Sequence, residues 1–322
     1  MKKENLDIEI KHPNRQLYLY GYKKYMDDFN KLFKSNKLPK VTLLSGPKGI
    51  GKSTFVYHFI NYLLSADENF KYSLIENKIN MSNKSFNLLQ SEIHPNVFCI
   101  DKAKDQKNIT IEEVRRLLNF LNKSTYLNGL KFVVIDNAEN LNINSANLLL
   151  KTLEEPNNKT FIFIIHNNLL PLLLTIKSRC LNFKIFFNHE EKRKIFSNLL
   201  NLYNLNIPID DFNEDLFYET PGNLIKYYSY INNKNTNNDN LKEIQFFIEK
   251  FKKEKNYELL SLISLLIEKF YKKIIFQNKK NKTSLFHNRS EVLRKIYLLT
   301  KFNLDVKNIF SYIFTVLKNE AK

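Results

Sequence analysis

Two hydrophobic rhythms alternate along the first 190 residues. Short continuous apolar runs at Val41–Leu44, Asn96–Ile100, Phe132–Ile135, Phe161–Ile165 and Phe183–Phe187 predict five buried strands. Between them, apolar residues recur every three or four positions and predict helices. One runs from about Tyr22 to Phe33, and another from Lys52 to about Leu64 with Phe55, Phe59, Tyr62 and Leu63 on one face. Thr110-Ile111-Glu112-Glu113 has the form of a capping box and starts a third, with Val114, Leu117, Leu118 and Leu121 at helical spacing. Asn144 or Ser145 is expected to cap a fourth, which Pro156 ends, with Leu148, Leu149 and Leu153 inward. Strands alternating with helices imply a parallel sheet covered on both faces.

After about residue 188 the strand signal disappears. Residues 190–232 predict a small helical unit interrupted near Pro208 and Pro221-Gly222, and Asn232 to Asn240 is the best linker. Residues 241–322 show helical spacing only. The expected organisation is an α/β domain over 1–187, a helical lid over 188–235 and a helical C-terminal domain over 236–322.

Gly46-Pro47-Lys48-Gly49-Ile50-Gly51-Lys52-Ser53 matches G-x-x-x-x-G-K-[ST] between a predicted strand and a predicted helix. Gly46, Gly49 and Gly51 let successive backbone N–H groups turn toward phosphate oxygens, and the helix N-terminus adds its partial charge. Lys52 would neutralise the β- and γ-phosphates, and Ser53 would hold Mg²⁺. The rival is a tight Gly-rich turn. Phe132 to Asp136 is an apolar strand ending in an acid, where Asp136 would orient Mg²⁺. The next residue, Asn137, cannot take a proton; Glu139 points either into the site or into solvent. ATP binding is therefore expected, with slow or impaired hydrolysis.

Asn147-Leu148-Leu149-Leu150-Lys151-Thr152-Leu153-Glu154-Glu155-Pro156, followed by Ser178-Arg179-Cys180, resembles the N-A-L-L-K-x-L-E-E-P and S-R-C signatures of bacterial clamp-loader AAA+ subunits. His94-Pro95-Asn96 and Ile111 to Leu117 fit as well, and the resemblance covers about residues 12–187. It implies an α/β P-loop AAA+ domain with a five-stranded parallel sheet, a small helical lid and an all-α C-terminal collar. It further implies a pentamer with gamma/tau and delta subunits that closes a sliding clamp on primer–template DNA. Arg179 becomes an arginine finger completing a neighbour's nucleotide site, with a surface ion pair as the alternative. Ser178 and Cys180 would shape the turn.

Residues 66–95 contain no cysteine for the zinc module of gamma/tau subunits, and no tau-type extension follows. The resemblance thus favours the delta-prime type, with no zinc. A gamma/tau-type motor, or another DNA-acting AAA+ ATPase, is the alternative. Own activity is at most weak ATP hydrolysis, and no paired carboxylates suit polymerase chemistry. Asn223 stands where a sensor-2 Arg is usual, and a sensor-1 residue falls near His166 or Asn167.

The net charge is +17. It favours an anionic partner such as DNA, although a Lys- and Asn-rich composition gives the same excess. Arg115 and Arg116, near the start of the capped helix, are candidates for phosphate contact; a solvated face, with Glu112 pairing Arg116, competes. No uncharged apolar run of about 18 residues and no signal-peptide core appear, so a cytoplasmic protein without membrane contact is expected. Cys99 and Cys180 are the two cysteines and read as separate and reduced.

Overall fold

The structure is a computed structural model describing residues 10–102, 108–123, 129–168, 170–205, 207, 219–231, 240–277, 282–302 and 304–321. The chain divides into two compact units, with the break in the stretch following Ile231. The expected linker lies, except for Asn240, outside the described residues, as does Pro208.

The first unit is built on β1 (Val41–Ser45), β2 (Val97–Ile100), β3 (Lys131–Ile135), β4 (Thr160–His166) and β5 (Leu181–Lys184). They form one sheet in the order β2-β3-β4-β1-β5, every pair parallel. The helices are α1 (Lys23–Lys34), α2 (Lys52–Leu64), α3 (Lys84–Gln90), α4 (Ile111–Asn122), α5 (Ile143–Glu154), α6 (Leu174–Lys177), α7 (His189–Leu202) and α8 (Pro221–Ile231).

Successive strand residues point to opposite faces, so each buried strand feeds two cores. Leu44, Phe132, Val134, Phe161 and Phe163 join Phe29, Phe55 and Phe59 of α1 and α2. Val41, Leu43, Val133, Ile135, Ile162 and Ile164 join Val114 and Leu117 of α4 with Leu149 and Leu153 of α5. The first core is aromatic: Phe55 stacks on Tyr22 at 5.1 Å between ring centres and meets the Phe29 ring edge-to-face at 5.0 Å. That packing seats α2, and hence the loop before it, against β1.

Several expectations shift. The cap of α5 is Asn142, whose side chain accepts from Ser145 N at 2.7 Å, so the helix begins before Asn144. Leu148 is 39% exposed and does not face inward, while Leu149 and Leu153 do. β5 begins at Leu181, earlier than Phe183, because its ladder with β1 pairs Thr42 with Leu181. As an edge strand it carries exposed positions that hide it from an apolar-run reading. The helical unit is broken just before Pro221-Gly222, as expected, and Pro221 opens α8, since proline suits a first turn that has no N–H partner to lose.

The capping box of α4 is present: Thr110 N donates to Glu113 Oε2 at 2.7 Å and Glu113 N to Thr110 Oγ1 at 3.3 Å. Its other end is closed by Lys131, whose Nζ donates to Phe120 O at 2.8 Å and Leu121 O at 3.3 Å. A lysine is thus buried at the start of β3 without an acid among the described residues, using carbonyls the helix leaves free.

The second unit contains α9 (Asn240–Glu254), α10 (Leu259–Gln277), α11 (Lys282–Lys301) and α12 (Val306–Glu320). Ile244, Phe247, Ile248 and Phe251 of α9 and Phe310, Ile313 and Leu317 of α12 are buried at helical spacing. Arg289 of α11 grips Glu268 of α10 through Nε and Nη2 on one edge of its guanidinium, at 2.6 and 2.7 Å.

Candidate functional site

The site forms where β1, β3 and β4 end. Gly46 N donates to His166 O at 3.2 Å, so the loop leaves β1 still tied to β4. At Gly51, φ is +101°, a left-handed conformation that costs a side-chain residue strain. This turn aims the chain into α2, whose first ordered bond is Phe55 N to Gly51 O at 3.0 Å. Lys52 is 3% exposed, and its Nζ donates to Gly46 O at 2.9 Å and Pro47 O at 2.8 Å, curling the side chain back across the loop. Burial lowers the Lys52 ammonium to about 8, with Asp136 and Glu139 opposing that shift.

The Ser53 hydroxyl donates to Asp136 Oδ2, bringing the start of α2 and the end of β3 together. These hard oxygen donors suit a Mg²⁺ ion that takes its other ligands from phosphate and water. Among the described residues, no three His, Cys, Asp or Glu side chains gather as a metal cluster. The loop, Lys52, Ser53 and Asp136 are therefore together, as their spacing predicts.

Beyond Asp136 the chain turns through Asn137, which is left-handed at φ 51°, ψ 43°. That turn spends both ends of the Asn137 amide. Its Nδ2 donates to Asp101 Oδ1, and its Oδ1 accepts from Asn167 Nδ2 at 2.8 Å. Desolvation first, and the Asp136 carboxylate second, raise the Asp101 carboxyl above its ordinary range. Glu139 is directed inward: it is 8% exposed and its Oε2 accepts from Asn167 N at 3.2 Å. Asn167 thus faces the end of β3, whereas His166 Nε2 donates to Leu170 O at 2.9 Å within its own loop. Asp101 had no motif to expose it, whereas Asn167 lies where a sensor-1 residue was expected; both reach Asn137 because β2 and β4 flank β3.

The start of α8 closes on the same loop. Gly222 N donates to Gly49 O at 2.9 Å, and Thr220 Oγ1 donates to Lys48 O at 2.7 Å. A Cβ at Gly222 would stand 2.4 Å from Gly49 O, so only glycine permits this approach. Asn223 donates to Glu219 Oε1 at 3.0 Å.

Arg179 lies between α6 and β5. Its Nε donates to Glu154 Oε1 at 2.7 Å, Nη2 reaches the same oxygen, and Nη1 donates to Thr175 O at 2.9 Å. Ser178 Oγ donates to Thr175 O at 3.2 Å and Cys180 Sγ to Ile176 O at 3.1 Å, so both shape this turn. Arg115 and Arg116 stand exposed on α4. No helix among the described residues is long and apolar enough to cross a membrane.

Comparison with known proteins sets these features in a family. A family model described as DNA polymerase III, delta subunit, matches residues 21–188, more than half of the chain. The delta' subunit of DNA polymerase III from Pseudomonas aeruginosa is 37% identical over 138 residues, 43% of this chain and 40% of the relative. The delta' subunit from Escherichia coli is 30% identical over 156 residues, 48% of this chain and 45% of the relative. The match thus spans less than half the length of these curated relatives. Among solved structures, a DNA polymerase III gamma subunit-related protein from Thermotoga maritima superposes with a TM-score of 0.46 at 19% identity, covering 91% of this chain and 99% of that one. The chain belongs to the DNA polymerase III delta-subunit family, as a clamp-loader subunit of the delta-prime type.

Proposed function

We propose that this chain binds Mg-ATP in the loop from Gly46 to Ser53, lends Arg179 to the ATP site of a neighbouring subunit, and helps load a sliding clamp onto primed DNA. The observation that carries the reading is the Ser53–Asp136 hydrogen bond beside the Lys52 ammonium, a hydroxyl, a carboxylate and a cation held where a triphosphate would end. Backbone N–H groups of the loop and the N-terminus of α2 bind phosphate oxygens. Lys52 exchanges carbonyl partners for the β- and γ-phosphates. Ser53 and Asp136 hold the Mg²⁺, which supplies neutralisation of phosphate charge.

Arg179 acts outside its own site. It is only part-exposed, at 29%, and its turn is fixed by Ser178, Cys180 and Glu154, which holds the guanidinium ready for a partner surface. A planar fork beside γ-phosphate oxygens is worth roughly 10³–10⁵ in rate. The neighbours are gamma/tau subunits, with delta completing a pentamer assembled through α9–α12. Arg115 and Arg116, exposed near the start of α4, contact DNA phosphates without reading sequence. The protein works in the cytoplasm, needs no zinc and contributes no polymerase chemistry.

The test is steady-state ATPase of a reconstituted clamp loader, with clamp and primed DNA, carrying wild type or Arg179→Ala. The isolated chain is assayed for ATP binding as wild type and as Lys52→Ala. The expected result is an orders-of-magnitude fall in the complex with Arg179→Ala, and nucleotide binding that is lost with Lys52→Ala. Brisk turnover by the isolated chain, with no effect of Arg179→Ala in the complex, would identify a gamma-type motor instead.

A further inference from the structure

Asn137 occupies the place after Asp136 where a proton-accepting carboxylate would serve an ATPase, and its amide is fully engaged with Asp101 and Asn167. An amide cannot take a proton from water, whatever its position. The left-handed turn at Asn137 and the short 3₁₀ turn Ala138–Asn140 have a second effect. They fold the chain back so that Glu139 enters the interior instead of running on toward solvent.

Glu139 is 8% exposed, and its Oε1 has no hydrogen-bond partner among the described residues. A buried carboxylate oxygen without a donor is costly, and a native fold rarely keeps one without a use. Its other oxygen is anchored by Asn167 N at 3.2 Å, which fixes the carboxylate's orientation. It stands beside the loop: together with Asp136 it acts on the Lys52 ammonium that would hold the terminal phosphates.

We infer that Glu139, three residues beyond Asp136, is the general base for ATP hydrolysis by this chain's own site, taking over from the amide at Asn137. This rests on the nucleotide-site reading above. In the step, a water oxygen bonds to the γ-phosphorus while its proton passes to Glu139 Oε1. The bond between that phosphorus and the β–γ bridging oxygen breaks, and its electron pair leaves with ADP. Glu139 then returns the proton to the released phosphate or to solvent. Asn167 acts as a positioning residue, holding the Glu139 carboxylate through its backbone and the Asn137 amide through its side chain.

The experiment uses the full chain in excess over radiolabelled ATP with Mg²⁺, followed for hours, because a P-loop site without a neighbour's arginine turns over on the order of 10⁻⁴ s⁻¹. A fluorescent ATP analogue measures affinity in parallel. Glu139→Gln is expected to bind within about 3-fold of wild type and to hydrolyse at least ~10²-fold more slowly, the usual contribution of a general base. Equal rates with equal affinities would overturn the inference and leave Glu139 a framework acid. So would a wild type that binds ATP but never hydrolyses it, or a Gln variant that loses binding. Failure of the wild type to bind ATP at all would instead overturn the nucleotide-site reading, and the inference with it.

Discussion

Arg179 Nε donates to Glu154 Oε1 at 2.7 Å, which joins the turn before β5 to the last residue of α5. The pair is half in solvent, with side chains 29% and 50% exposed, so it contributes at most about 1 kcal/mol to stability. Glu154→Ala and Arg179→Lys are therefore expected to leave thermal unfolding of the isolated chain within that margin. In the reconstituted complex Arg179→Lys should be nearly as poor as Arg179→Ala, because an ammonium has no planar fork to span two phosphate oxygens. Full ATPase activity with Lys at this position would argue for simple charge.

Gly222 is expected to tolerate no side chain. A Cβ there would meet backbone, Gly49 O at 2.4 Å, and neither loop nor helix has a rotamer to yield. Gly222→Ala should destabilise the first unit by about 1–3 kcal/mol and weaken ATP binding, as α8 is forced off the loop. Chemical denaturation and nucleotide titration check both effects; an unchanged affinity would mean that α8 and the loop are not coupled.

Leu148 and Leu149 test which face of α5 is buried. Leu149 is 1% exposed in the core beneath the sheet, and Leu149→Ala should cost about 2–5 kcal/mol. Leu148→Ala should change stability by no more than about 0.5 kcal/mol. Denaturant midpoints of the two variants decide it.

Acid should unfold this chain partly through two histidines. The His58 ring is fully buried, Tyr72 Oη donates to Nδ1 and Nε2 donates to Gln16 O, both at 3.1 Å, which fixes the neutral tautomer. Burial lowers His58 to about 3 and His94 to about 4, with a backbone contact at Gln16 and the Glu68 carboxylate respectively opposing the shift. The unfolded chain takes these protons below about 6.5, while the folded chain refuses them. The stability they support is whole above pH 6.5 and falls as pH drops, by ~2 kcal/mol for the fully buried His58 by pH 5 and by less for His94, which is partly open to solvent. His58→Gln should be less stable at pH 8 yet flatter between pH 6.5 and 5, as read from unfolding free energy against pH.

What the sequence determined on its own was everything carried by local spacing. The five strands, the phosphate-type loop and the capping box of α4 were legible because each is written in consecutive residues with a 2.0 or 3.6 period or a fixed turn chemistry. The family was legible because two signatures lie within one stretch of chain. The starting residue of edge strand β5, the short helices α3 and α6, and the outward turn of Leu148 on α5 were not, since exposure and strand pairing decide them. Only the tertiary structure joined Asp101, Asn137, Glu139 and Asn167, residues drawn from three strand ends that parallel pairing sets side by side. Whether Glu139 faces water or the loop depends on one left-handed residue, Asn137 at φ 51°. Local sequence tolerates either backbone there; the hydrogen bonds to neighbouring strands select one.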